Sequence, residues 1–174
     1  SKLGRLGKTS SDGRPIFGFS AKDLLKMILD SSPDCLLIPA HAWTPWFSIF
    51  GANSGFDSIP ECYEEESKHI YAVETGLSSD PEMNWRLSAL DDLTLISNSD
   101  AHSPNKIGRE ANIFNCDMSY AGIREAIRNK DPRKFLFTIE FFPEEGKYHF
   151  DGHRNCGILF SPQETRKHKS LCPV

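Results

Sequence analysis

Leu93-Thr94-Leu95-Ile96-Ser97-Asn98-Ser99-Asp100-Ala101-His102 is the stretch on which the reading of this chain turns. Four apolar and β-favouring residues predict a short buried strand, and the polar residues behind it predict a loop at its carboxyl end. Asp100 and His102, two residues apart, present a hard oxygen and an imidazole nitrogen from that loop, a pairing suited to a divalent metal. A second apolar run, Cys35-Leu36-Leu37-Ile38-Pro39, ends in the same way at Ala40-His41. Either feature alone is more often an ordinary hydrogen-bonded loop. Two strand ends that each deliver an imidazole read as one rim of a site.

Outward from these strands the chain alternates between periods. Ser20 is a predicted N-cap with Asp23 at the third helical position, followed by Leu24, Leu25, Ile28 and Leu29 at helical spacing, and the helix ends near Pro33. The strand 35–39 is followed by the His41 loop, a short helix over 60–67, a strand over 70–73, a helix over 83–90 and the strand 93–97. Beyond the Asp100 loop come a strand over 111–115, a helix over 119–129 opened by Ser119, and a strongly apolar strand over 135–142. This order predicts an α/β protein with parallel strands, as an open sheet or a barrel. The segment before Gly18 reads as a loop. Composition changes at Pro143-Glu144-Glu145-Gly146, so the reading divides the chain into 1–143 and 144–174, the second rich in Cys, His and basic residues.

Composition sets bounds on function. The 174 residues are 39% hydrophobic, enough for one good core, and carry a net charge of −4. Residues 1–14 hold four bases and one acid, and residues 146–174 hold five bases and two acids, so the acidic excess lies in the middle. An acidic centre suits cations and basic flanks suit a polyanion. No apolar run is long enough to span a membrane, and no signal peptide opens the chain. The five cysteines form an odd set without disulfide-scaffold spacing, which predicts a reducing, cytoplasmic setting.

Four segments together carry a family resemblance: Pro39-Ala40-His41-Ala42-Trp43-Thr44-Pro45-Trp46-Phe47, Glu74-Thr75-Gly76-Leu77-Ser78-Ser79-Asp80, Asn84-Trp85-Arg86-Leu87-Ser88, and Ser97-Asn98-Ser99-Asp100-Ala101-His102-Ser103-Pro104. On them the chain resembles the polymerase-and-histidinol-phosphatase (PHP) superfamily of metal-dependent phosphoesterases, and within it the endonuclease Q family of DNA-repair nucleases. The resemblance implies a partial, distorted (β/α) barrel followed by the start of a small zinc-binding module. It implies His41, Asp100 and His102 as metal ligands, with Asp100, His102 and Glu74 in the catalytic set. Glu74 is read as supporting the ligands or facing substrate, with direct metal ligation, a helix N-cap or a loop hydrogen bond as the alternatives. Superfamily members open with a His-x-His strand, which does not occur before His41, so the chain is expected to be an internal fragment that is inactive alone.

The activity so implied is hydrolysis of a DNA phosphodiester beside a deaminated or abasic nucleotide. The cofactors would be divalent ions, zinc, manganese or magnesium, with iron also suited to mixed N/O ligation. The partner would be DNA. The alternatives are a PHP-type phosphatase acting on a small phosphate ester, or a non-catalytic DNA- or protein-binding accessory. Trp43 and Trp46, in an unusually aromatic loop, are candidates to stack on an extruded nucleotide or to pack under their own loop. Lys106 and Arg109 are candidates for backbone phosphates or solvated loop charges. His153, Cys156 and Cys172 read as part of a structural zinc site, with His149 a substitute for His153.

Overall fold

The computed structural model describes residues 3–8, 16–53, 55–146 and 148–174. Residues 9–15 of the predicted opening loop lie outside the described residues. On either side of them, β1 (Gly7–Lys8) and β2 (Ile16–Phe17) pair antiparallel inside what the sequence reads as loop.

The centre is a parallel pair, β3 (Ala72–Glu74) and β4 (Thr94–Ile96), in the register Ala72↔Thr94, Val73↔Leu95 and Glu74↔Ile96. Both strands are buried at every position because each face has its own cover. Val73 and Leu95 join one cluster with Leu25, Ile49, Ile59, Tyr63 and Ile70. Ala72 and Ile96 point the other way, against Ile127, Phe114 and Phe135. Residues 35–39 run beside β3 without a ladder of their own, but their side chains alternate as a strand's would. Leu37 packs on the first cluster, and Leu36 and Ile38 pack on the second. The stretch is bonded to β3 only at its end, where Glu74 N–H donates to Pro39 O at 3.0 Å and Ala42 N–H donates to Glu74 O at 3.0 Å.

The helices that cover the first face start where their caps dictate. Helix α1 (Ala21–Ser31) has the Ser20 hydroxyl accepting from Asp23 N–H, and α2 (Ile59–Tyr63) has Ser58 accepting from Glu61 N–H. A 3-10 segment, Glu64–His69, continues α2 and ion-pairs with α1 through Lys22 and Lys26. The predicted helix 83–90 is replaced by two short pieces. Asp80 caps α3 (Pro81–Asn84), and a 3-10 turn follows at Ser88–Leu90. Asp80-Pro81 is a strong helix start, so the helix opens earlier than the apolar pattern suggests and ends after one turn.

The strand β5 (Ala111–Phe114) and β6 (Phe135–Ile139) pair antiparallel, with α4 (Tyr120–Arg128) between them in sequence. The expectation of uniformly parallel strands therefore holds only for β3 and β4. Periodicity identifies strands but not their direction. The chain is mixed α/β, built from four two-stranded sheets among the described residues. Beyond Pro143, β7 (Asp151–His153) and β8 (Ile158–Phe160) form an antiparallel hairpin. Helix α5 (Pro162–Lys167) follows, opened by a reciprocal Ser161–Glu164 capping box. Asp151 ties this tail back to the rest, accepting from Arg86 at 3.0 Å and from the Thr165 hydroxyl at 2.6 Å.

Leu25 is wholly buried in the first cluster, whereas Met118 is fully exposed. Leu25→Ala should lower the stability of the chain by about 2–5 kcal/mol through lost contacts and a residual cavity. Met118→Ala should leave it within about 0.5 kcal/mol. Urea midpoints of the two variants against the parent check both.

Candidate metal centre

Glu74 is the last residue of β3 and only 7% exposed. Its Oε2 accepts the His41 backbone N–H at 2.7 Å, and its Oε1 accepts from Asn98 Nδ2 at 2.7 Å. One carboxylate thus ties the loop after residues 35–39 to the loop after β4. The rim is made of three chain segments side by side, and His41 and Asp100 lie on the two that Glu74 joins.

Both imidazoles are fixed by their Nδ1 atoms. The Thr44 hydroxyl lies 3.1 Å from His41 Nδ1, and it has Trp46 O at 2.9 Å to receive its single hydrogen. It is therefore positioned to accept from Nδ1–H, which leaves the His41 Nε2 lone pair for a ligand. His102 Nδ1 lies 2.8 Å from Asp100 O, a carbonyl that can only accept, so His102 also carries its proton on Nδ1. This tautomer, with Nε2 bare and Nδ1–H oriented by an oxygen, is the form in which imidazole binds metal. The Asp100 carboxylate stands 3.9 Å from the His102 ring nitrogen, and both side chains are open to solvent. His41 and Asp100 have φ values of 32° and 45°, in the left-handed region. Gly76, at φ 63°, packs so tightly on His41 that a Cβ there would fall 2.8 Å from the His41 Cβ.

The donor chemistry suits a divalent transition ion: two imidazole Nε2 atoms and one carboxylate on a single rim. Yet among the described residues no three His, Cys, Asp or Glu side chains close into a ligand set. The expected convergence of His41, Asp100 and His102 in one coordination sphere is not present. The Glu74–Asn98 bond joins the two loops, and the His102 ring is turned back onto its own backbone.

Other predicted residues take specific places. Arg109 Nε donates to Ser99 O at 2.8 Å, and its guanidinium lies 5.9 Å from the centre of the Phe141 ring, so it braces the Asp100 loop. Lys106 is exposed on a 3-10 turn, Pro104–Lys106, just beyond His102. Trp43 is packed, its Nε1 donating to Asn84 at 2.8 Å and its ring 4.6 Å from that of Phe50, whereas Trp46 is 56% exposed. Trp43 also lines a cavity of about 270 Å³ with Arg86, Tyr148, Phe150 and Asp151. The buried Ser78 hydroxyl borders it and has no hydrogen-bond partner among the described residues. In the tail, His153 Nδ1 lies 3.1 Å from Cys156 Sγ, and its Nε2 lies 3.3 Å from Asp57. A hydrogen bond between the Cys156 and Cys172 thiols is the main cause pushing the Cys156 thiol up. The three predicted zinc-module residues are therefore neighbours.

Sequence reasoning missed the acids below the rim. Glu110 is 3% exposed. Its Oε1 accepts Phe141 N–H at 3.3 Å, and burial pushes its carboxyl up to about 7. Glu140, also raised mainly by burial, accepts from the Thr75 and Ser97 hydroxyls, each at 3.2 Å. The apolar stretch around Glu140 was the available signal, since an acid inside such a run has to be held by donors or stay protonated.

No family model matches the chain. It is 33% identical to the uncharacterized protein MJ0043 of Methanocaldococcus jannaschii over 141 residues, covering 76% of this chain and 17% of that protein. It is 36% identical to the uncharacterized protein YqxK of Bacillus subtilis over 123 residues, covering 70% of this chain and 31% of that protein. Among solved structures, the lesion-specific endonuclease Q of Pyrococcus furiosus superposes with a TM-score of 0.75 at 33% identity, over 99% of this chain. The chain is endonuclease Q-like. An endonuclease Q complex with a 27-mer duplex carrying an abasic lesion at the active site matches equally well, with a TM-score of 0.75 at 31% identity. The endonuclease Q-like chain spans 42% and 43% of those two solved chains, and less than a third of either curated relative.

Because the folded state holds the Glu110 proton up to about pH 7, against an ordinary value of 4.5, the native state binds more protons than the unfolded chain across that window. Stability is unaffected below the window, falls as pH rises through it, and levels off above. Glu110→Gln removes this titration. Its stability relative to the parent should therefore improve between pH 5 and pH 8, by about 1–3 kcal/mol. Parallel curves for variant and parent would contradict the assignment.

Proposed function

We propose that this chain forms part of a metal-dependent DNA endonuclease that hydrolyses a phosphodiester beside a deaminated or abasic nucleotide. The observation that carries the reading is the Glu74 clamp, which holds two loops bearing tautomer-fixed imidazoles and a carboxylate on one rim. The likeness to endonuclease Q structures, one of them bound to lesion-bearing duplex, supports DNA as the substrate.

In this reading His41 Nε2, His102 Nε2 and the Asp100 carboxylate, which do not yet close on one point, would hold the metal once ligands from elsewhere in the protein draw the two loops together. A divalent ion bound there supplies Lewis acidity to the phosphate and lowers the pKa of water. The chain's own residues do the positioning. Glu74 and Asn98 set the spacing of the two loops, and Arg109 stiffens the second from behind by its bond to Ser99 O. Lys106, on its exposed turn, meets a backbone phosphate next to the cut. Trp46 and Phe47, exposed at the tip of the first loop, offer apolar surface to unstacked bases. The cavity beside Trp43 takes the displaced nucleotide, with the unpartnered Ser78 hydroxyl as a hydrogen-bonding group for its polar edge.

The tail extends the DNA-binding surface. His153, Cys156 and Cys172 bind zinc with one further ligand, and the exposed Arg166, Lys167 and Lys169 then lie on an ordered platform. Among the described residues no helix is long and apolar enough to cross a membrane. With its free thiols, the chain fits a cytoplasmic DNA-repair role.

In the whole protein, Asp100→Asn should reduce cleavage of uracil- or abasic-site DNA by more than about 100-fold, beyond the usual effect of outer-shell changes. Duplex affinity should stay near the parental value, because the phosphate-contacting cations are untouched. Cleavage at the parental rate would rule out the assignment of Asp100. For the tail, zinc content by atomic absorption should fall on Cys156→Ser while the rim's manganese binding persists. Equal zinc in variant and parent would return His153, Cys156 and Cys172 to ordinary surface groups.

A further inference from the structure

Asn112 sits in the middle of β5, where a small polar amide is a poor choice for a strand. Its side chain is used as a piece of backbone. Oδ1 accepts Ser97 N–H at 2.8 Å and Nδ2 donates to Ser97 O at 2.7 Å, so the amide pairs with the first residue after β4 as a neighbouring strand would. The second Nδ2 hydrogen goes to Asn98 Oδ1 at 3.0 Å. These partners fix the orientation of the Asn112 amide, since an N–H has to meet Oδ1 and two acceptors have to meet Nδ2. The donation then runs on. Asn98 Nδ2 donates to Glu74 Oε1, and Glu74 Oε2 accepts the His41 N–H. The bonds from Asn112 to Asn98 and from Asn98 to Glu74 run head to tail, an order in which each strengthens the next, and the His41 N–H meets the same carboxylate on its other oxygen, so the place of that oxygen is set by the Asn98 bond.

We propose that Asn112 is a positioning residue for the metal-binding rim, setting the His41 loop through Asn98 and Glu74 as well as the loop before Asp100. The meaning of this for catalysis rests on the metal-centre reading above. The relay itself does not. His41 is held at φ 32°, a conformation that needs its surroundings to maintain it, and the N–H that Glu74 grips belongs to that residue. Asn112 carries no ligand chemistry and lies on a different strand from every candidate ligand, so its influence on His41 has to travel through the row.

The test replaces donors without changing shape. Asn112→Asp removes both Nδ2 bonds and sets a carboxylate against Ser97 O and Asn98 Oδ1. Asn98→Asp, at an exposed position, keeps the acceptor for Asn112 and replaces the bond to Glu74 with a carboxylate facing the Glu74 carboxylate. Asn115→Asp, just past the end of β5 with its amide on Arg133 O, is the control. Amide hydrogen exchange by NMR reads the His41 N–H directly, with no metal present. The relay predicts exchange at His41 about tenfold faster or more in Asn112→Asp and Asn98→Asp, and unchanged in Asn115→Asp. Manganese affinity should fall by about 10–100-fold in the same two variants. Faster exchange confined to Ser97 and Asn98, with His41 at the parental rate, would overturn the proposal. If Asn112→Asp does not fold, Asn98→Asp decides on the same readout. His102→Ala separates the two levels: if it leaves manganese binding intact while His41 exchange still responds to Asn98→Asp, the relay stands and the metal-centre reading falls.

Discussion

A buried carboxylate that has to be satisfied at both oxygens organises this structure. Glu74 ends β3 inside the protein, where leaving an acid without donors would cost several kcal/mol. Its donors come from two different loops, the His41 N–H and the Asn98 amide, so the loops can only be where Glu74 can reach both. That requirement extends backward through the parallel β3–β4 register, which sets Glu74 level with Ile96, and through the bonds that tie Pro39 O and Ala42 N to the Glu74 backbone. Core and site are coupled in this way. Val73 and Leu95 bury one face of the pair and Ala72 and Ile96 the other, and the same two strands end at the rim.

Below the rim the acids are treated differently according to the donors they find. Glu110 and Glu140 lie in this buried layer, and burial raises both, Glu110 to about 7. Ser97 is the hinge between the layers: its backbone is held by Asn112 and its hydroxyl donates to Glu140. The layer under the candidate site is therefore polar and hydrogen-bonded, with at least one carboxyl that keeps its proton into the neutral range. An ionised cluster there would repel itself in a low-dielectric setting and would pull on Ser97, two residues from the Asp100 loop's own brace at Ser99.

Much of this arrangement is legible in the sequence. The caps at Ser20 and Ser119 and the apolar runs that become β3 and β4 are local signals, and local signals survive folding. The strand ends at His41 and at Ser97-Asn98 could also be read, because an apolar run that stops at polar residues marks where a strand leaves the core. Other features depended on partners distant in sequence. The run 135–142 ends as a strand at Ile139 because Glu140 turns in to Thr75 and Ser97, contacts 65 and 43 residues away. The antiparallel pairing of β5 and β6 depends on strand direction, which alternation does not encode. Asn112 looks like a weak strand residue until Ser97 is seen opposite it, and Arg109 looks like a free phosphate ligand until Ser99 O is seen beside its Nε.

The backbone at the rim carries a further constraint that side-chain patterns do not display. Positive φ also occurs at Phe47, in the loop after His41, at Glu64, which ends α2, and at Lys130, Lys169 and Ser170, which follow helices α4 and α5, where this conformation is an ordinary way to stop. His41 and Asp100 do not follow helices. They stand just after the extended segments that end at the rim, at φ 32° and 45°, and His and Asp are among the side chains that accept such values at modest cost. Gly76, the third member of this group, is left-handed with its α-carbon against His41, and a Cβ would fall 2.9 Å from the His41 Cα as well as on its Cβ. The three segments at the rim thus reverse sharply within a few residues of their ends, and only a glycine in the middle one leaves room for the imidazole beside it. Strain of about 1–3 kcal/mol per residue persists only where the surroundings over-determine the backbone. Here the Glu74 clamp, the Thr44 hydroxyl and the Ser99 bonds to Gly108 and Arg109 supply that determination. The same hydrogen bonds that keep Glu74 satisfied hold His41 and Asp100 in their left-handed conformations.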